Sequence, residues 1–133
     1  MIYVLTKIAE SPSSTGTITA TGARILEGSA GNGSFGPYGV LEVGRWFAGF
    51  NIRALEAPTT HQAIKIDVCH KEGREVVAEA WFGADDFCRS TPGLLGVTFQ
   101  VAQPVTDYEL RLYFAGSGKF EVLDKLVFRA DLV

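Results

Sequence analysis

A chain of 133 residues is long enough for one domain with its own core and too short for two ordinary ones. A hydrophobic share of 47% excludes wholesale disorder, and 15 glycines against a single methionine suit strands and turns better than a helical bundle. A formal charge of -3 with no basic run provides no phosphate-tracking surface, which argues against nucleic acid and against an anionic membrane as partners.

The opening MIYVLTKIAESPSS lacks a basic region followed by an uninterrupted apolar run, and no later segment is long enough to span a membrane. A cytoplasmic location is therefore expected, unless the chain is one domain of a larger protein. Tyr3 to Ile8 predicts an opening strand, broken by Ser11-Pro12-Ser13-Ser14, a turn or a crossing between sheets. Thr17 to Thr21 and Ala23 to Glu27 predict short strands. Gly28 to Gly36 is too rich in glycine and serine for regular structure and predicts a long loop. The stretch Gly36 to Arg53, GPYGVLEVGRWFAGFNIR, predicts a β-hairpin turning near Gly44. In its second half Trp46, Ala48, Phe50 and Ile52 share the core face, and Phe47, Gly49, Asn51 and Arg53 share the other.

After the turn Ala57 to Thr60, Ile64, Ile66 and Val68 alternate with Lys65, Asp67 and Cys69, predicting a half-buried strand. Lys71-Glu72-Gly73-Arg74 supplies the glycine that a hairpin loop needs, so Glu75 to Phe82 is expected to pair antiparallel with that strand. Gly83 to Gly93 predicts a second long loop with a helical turn at Ala84 to Phe87. Alternation continues through Val97, Phe99 and Val101, then through Tyr108, Leu110, Leu112 and Phe114, and Lys119 to Val133 returns with Leu126 and Phe128 as core residues. About eight or nine short strands with no full helix predict an all-β fold, a two-sheet antiparallel β-sandwich with jelly-roll topology. Its expected core is Trp46, Phe50, Ile52, Ile64, Ile66, Phe99, Leu110, Leu112 and Phe114.

No catalytic constellation stands out. His61 and His70 fall at opposite ends of one predicted strand, about 30 Å apart if extended, so they cannot share a metal or a proton. Asp85-Asp86 reads as a solvated acidic pair. Cys69 and Cys88 fit neither a disulfide framework nor a zinc motif and read as reduced core thiols. No nucleophile elbow, phosphate loop or dinucleotide fingerprint is present. The outward strand faces carry more information. Phe47, Trp81 and Tyr113 fall on polar faces with Arg53, Asp67, Glu79 and Arg111, a mixture of rings and planar polar groups that suits sugar binding. The same rings also suit a covering loop or a subunit contact.

Two stretches, GPYGVLEVGRWFAGFNI and YELRLYFAGSGKFEVLDKLVF, together about a third of the chain, resemble jelly-roll, galactose-binding-like domains of the carbohydrate-binding-module type. The first resembles their hairpin with an inward aromatic at Trp46, the second their closing strand pair. The resemblance implies a non-catalytic module whose partner is a carbohydrate; strand parity on the outward faces makes Phe47, Arg53, Asp67, Glu79, Trp81, Arg111 and Tyr113 the expected ligand-binding residues. It also implies a structural calcium at Asp124, which matches the acid near the start of the family's last strand, and no other cofactor. The alternative left open is a structural or assembly domain that forms a homo-oligomer or docks to a glycan-processing enzyme.

Overall fold

The computed structural model describes residues 3–88 and 90–132. The predicted end of the last strand at Val133 and one position of the 83–93 loop, Arg89, lie outside the described residues. Eleven strands are present among them: β1 (Tyr3–Lys7), β2 (Thr17–Ile18), β3 (Arg24–Leu26), β4 (Gly31–Ser34), β5 (Pro37–Leu41), β6 (Gly44–Glu56), β7 (Ile64–His70), β8 (Glu75–Phe82), β9 (Gly93–Val101), β10 (Val105–Phe114) and β11 (Lys119–Arg129). They form two antiparallel sheets, as expected for a β-sandwich of jelly-roll type. The first runs β2-β3-β11-β6-β9, with β1 sharing the β3 edge of β11. The second runs β4-β10-β7-β8, with β5 sharing the β4 edge of β10. Three short 3-10 turns complete the fold, one of them at the predicted position Ala84–Asp86.

All nine predicted core residues are buried between the sheets. Phe114 of β10 meets Phe120 of β11 edge to face at 5.9 Å, a ring contact that joins the two layers. The β7–β8 hairpin forms as expected. Its turn carries Lys71, Glu72 and Gly73 at φ of 55°, 58° and 82°, a left-handed run that glycine enters without steric cost.

Three expectations are corrected. The stretch Gly36 to Arg53 is not a hairpin: β5 pairs with β10 in the second sheet, whereas β6 pairs with β9 and β11 in the first. Alternation reports only in and out along a strand, so it cannot separate a hairpin from a corner between sheets. The corner is held by the Trp46 indole, whose Nε1–H donates to the Glu42 carbonyl at 2.8 Å. Second, the predicted loop Gly28 to Gly36 contains β4. Its bonds come from distant residues rather than local propensity: Ser14 N–H donates to the Asn32 carbonyl at 2.8 Å, and Arg24 Nη1 donates to the Gly33 carbonyl at 2.7 Å. Third, Leu126 and Phe128 face outward. A bulge lets Val122 pair with Ile52 and Asp124 with Asn51, so Leu123 is extra and the parity of β11 reverses beyond it. Lys125 and Val127 then point inward.

Lys125 is thus a buried cation. Its Nζ donates to the carbonyls of Phe35 and Gly36, both at 3.0 Å, and reaches Ser34 Oγ at 3.1 Å and Ser11 Oγ at 3.4 Å. Arg24, also buried, bonds the Ser11 carbonyl at 3.0 Å through Nη2. Burial pushes the Lys125 ammonium down to about 7 from its ordinary 10.5, with Glu109 opposing the shift and Arg24 adding to it.

Two predictions follow from the packing. Phe50→Ala, which empties a fully buried ring position, lowers unfolding free energy by about 3 to 5 kcal/mol in denaturant titration. The folded chain releases the Lys125 proton near pH 7 while the unfolded chain holds it to about 10.5, so in that interval the unfolded state binds more protons and stability rises with pH. Melting curves of the protein and of Lys125→Met between pH 7 and 10 check this: the rise is smaller in the variant.

Candidate functional site

The outer face of the second sheet collects most of the predicted binding residues, because β7, β8 and β10 alternate in phase. Cross-strand pairing places Trp81 opposite Lys65, Lys65 opposite Tyr113, and Tyr113 opposite Asn32 of β4. The next row runs Glu79, Asp67, Arg111. The Trp81 and Tyr113 rings stand edge to face, with centroids 6.3 Å apart and planes at 89°. Lys65 Nζ lies 5.7 Å from the Trp81 ring centroid, within cation–π range. Trp81 is 38% exposed, so part of the ring remains accessible to solvent.

Beside these rings lies a depression of about 180 Å³ lined by Asn32, Lys65, Asp67, Arg111 and Tyr113. Arg111 forms a two-bonded fork on Asp67, Nε to Oδ1 at 2.8 Å and Nη2 to Oδ2 at 2.9 Å. Those hydrogen bonds to the carboxylate raise the guanidinium pKa still further, despite partial desolvation. Lys65 Nζ stands 3.7 Å from the same carboxylate. Asp67 is only 2% exposed, which changes its expected role: it fixes Arg111 instead of meeting a ligand. The turn after β7 flanks this pair, since a Cβ on Gly73 would stand 3.0 Å from Arg111 Nη1.

Phe47 and Arg53 do not belong to this face. Both lie on the outer side of the first sheet, where Phe47 stacks on Phe128 at 5.0 Å and Arg53 Nε bonds Glu121 Oε1 at 2.8 Å. The single polar face expected from strand parity is therefore two faces on opposite sides of the sandwich. Asn32 and Lys65 complete the depression and were not among the expected binding residues. Lys65 carried a signal, its alternation with Ile64 and Ile66; Asn32 carried none, because its strand is built by long-range bonds.

Farther along the same sheet, Tyr38, Glu72, Asp107 and Glu109 line a second depression of about 390 Å³. Tyr38, Glu72 and Asp107 all hold positive φ, of 70°, 58° and 52°. This end is acidic where the first is cationic.

The remaining chemistry is bland. His70 pairs with Glu75 at 2.9 Å and His61 is exposed. Asp86 accepts the Gly83 N–H at 2.8 Å. Cys69 is buried, and its burial pushes the thiol up to about 11; Cys88 is exposed, contrary to expectation, and hydrogen bonding with Ser90 and Thr91 pushes it down to about 6. Among the described residues no three His, Cys, Asp or Glu side chains converge as metal ligands, and no helix is long and apolar enough to cross a membrane. Asp124 lines a crevice of about 400 Å³ with Glu10 and Glu121, but its carboxylate faces Lys7 Nζ at 3.7 Å and accepts from Asn51 Nδ2 at 3.3 Å. Calcium requires six to eight oxygens, so the groups around Asp124 do not fit the expected ion.

No family model matches the sequence, and no curated protein matches it either. Solved structures match in fold. The C-terminal CBM6 of LamC, a marine laminarinase from Zobellia galactanivorans, superposes with a TM-score of 0.62 at 9% identity, covering 96% of this chain and 99% of that one. The module CBM6cm-2 of Cellvibrio mixtus lichenase 5A, in complex with cellotriose, gives 0.59 at 10% identity, covering 98% and 99%. The second N-terminal cellulose-binding domain of Cellulomonas fimi β-1,4-glucanase C gives 0.54 at 18% identity, covering 93% and 91%. The chain thus has the two-sheet β-sandwich of carbohydrate-binding modules over nearly its whole length.

Proposed function

We propose that this chain is a non-catalytic carbohydrate-binding module that takes a glycan on the outer face of its second sheet. The observation that carries the reading is the exposed Trp81 ring, braced edge to face by Tyr113 and set beside a guanidinium that Asp67 already holds in place. A pyranose presents an apolar face and a rim of hydroxyls, so a site for it needs a flat ring next to fixed polar groups. Trp81 supplies the ring. Arg111, Lys65 and Asn32 supply hydrogen bonds, and Glu79 accepts from a hydroxyl at the rim. Because Asp67 pre-orders Arg111, little side-chain entropy is lost when a sugar binds. The likeness to carbohydrate-binding modules supports the same reading.

On this reading Trp81→Ala weakens glycan binding by at least about 2 kcal/mol, roughly thirtyfold, while the far-ultraviolet spectrum and melting temperature stay near those of the parent. Glycan-array retention with calorimetry on the retained sugars measures it, and Phe47→Ala, on the opposite sheet, serves as the variant that keeps binding. A protein that retains no glycan but forms a stable oligomer disrupted by Trp81→Ala is an assembly domain instead. A separate prediction concerns metal. Excess calcium over chelator leaves the melting temperature unchanged, and a rise would place a stabilising calcium at Asp124 after all.

A further inference from the structure

The charges around the depression are unequal. Two cations, Lys65 and Arg111, serve one carboxylate, Asp67, and no other acid lines the space. Glu79, the cross-strand neighbour of Asp67, is exposed and lies outside the lining. The carboxylate is buried and both its oxygens are already taken by the Arg111 fork, so it offers one negative charge against two cations. Arg111 uses Nε and one N–H of Nη2 on Asp67, and among the described residues its other N–H groups, the second of Nη2 and those of Nη1 beside the Gly73 turn, have no acceptor. Lys65 stands too far from Asp67 for a hydrogen bond, and its Nζ has no other acceptor among the described residues. Both side chains are partly exposed. The wall of the depression therefore holds one unit of positive charge in excess, carried by groups with unspent donors, on a protein whose net charge is -3.

We infer that the depression between Lys65 and Arg111 takes the carboxylate of an acidic sugar, a uronic acid unit in the bound glycan, with Trp81 stacking on the ring of a neighbouring unit. The inference rests on the glycan-binding reading above and adds the class of sugar. A neutral hydroxyl accepts only through one uncharged oxygen; a carboxylate offers two charged oxygens, one for Lys65 Nζ and one for the Arg111 guanidinium, and balances the excess charge. Asn32 and Tyr113 remain for the hydroxyls of the same unit. The acidic depression at the other end of the sheet, lined by Glu72, Asp107 and Glu109, repels a second carboxylate and so favours one orientation of the chain.

The test uses oligogalacturonides and glucuronic-acid-bearing xylo-oligosaccharides, each alongside its carboxyl-reduced counterpart, in calorimetry with the intact protein. An acidic oligosaccharide is expected to bind about tenfold tighter than its reduced form, and the difference to shrink at high salt and in Lys65→Gln. Lys65→Gln removes the charge and keeps a hydrogen-bond donor on a slightly shorter side chain, and an unchanged melting curve shows that it folds. Equal affinity for acidic and reduced forms overturns the acidic-sugar inference and leaves the glycan-binding function standing. Failure to bind any acidic or neutral glycan overturns both.

Discussion

Two buried cations hold the end of the sandwich together, and the geometry of the candidate site depends on them. Lys125 reaches from β11 in the first sheet to the Ser34–Gly36 crossing that links β4 and β5 in the second. Arg24 reaches from β3 to the carbonyls of Ser11 and Gly33. Among the described residues neither makes an ion pair with a carboxylate; their bonds go to carbonyl and hydroxyl oxygens around the crossing, including the Gly36 carbonyl that also accepts from the Leu110 N–H. Arg24 Nη1 and Nη2 and Lys125 Nζ are spent on these oxygens, with only Arg24 Nε left unpartnered among the described buried side-chain atoms, so each side chain commits the backbone around it to one conformation. The Leu123 bulge is what turns Lys125 inward, and one residue fewer in β11 would place that ammonium on the surface and leave the crossing unpinned. Because the crossing fixes β4 on the edge of β10, it also fixes Asn32 at the border of the depression.

The two outer faces of the sandwich differ in what they leave unsatisfied. On the first sheet Phe47 is covered by Phe128, Arg53 is paired with Glu121, and Asp124 accepts from Asn51. Its rings and charges are matched to each other. On the second sheet the pairing is incomplete: Asp67 saturates one side of Arg111, while Lys65 Nζ and the rest of the guanidinium have no hydrogen-bond acceptor among the described residues and Trp81 is part-exposed. Preorganised donors next to an open ring are the physical signature of a site that binds a polar, ring-faced ligand at low entropic cost.

Much of this was legible from the chain itself, and the failures have a common cause. Strict alternation located β7, β8, β9 and β10 and put all nine expected core residues inside, because burial on one face of a strand leaves a period of two. The same rule correctly turned Trp81, Tyr113, Arg111, Asp67 and Glu79 outward. It could not say which sheet a strand joins, so Phe47 and Arg53 were grouped with residues on the far side. It also had no means of detecting a bulge, which reversed Leu126 and Phe128. β4 was missed because Gly31-Asn32-Gly33-Ser34 has no intrinsic strand preference and is held by Arg24, Ser14 and close packing: a Cβ at Gly33 would stand 3.0 Å from Leu26. What long-range contacts decide, local pattern does not contain.

The chain has two tryptophans in contrasting settings, and they provide the most direct measurement. The Trp46 indole N–H is bonded to Glu42 and its ring is buried, whereas the Trp81 ring is open on the proposed binding face. In a proton–nitrogen correlation spectrum recorded during titration with a retained oligosaccharide, the account predicts that the Trp81 indole signal moves with ligand while the Trp46 signal stays fixed. Saturable shifts at backbone amides around Phe47 and Phe128, with the Trp81 signal unmoved, would contradict it.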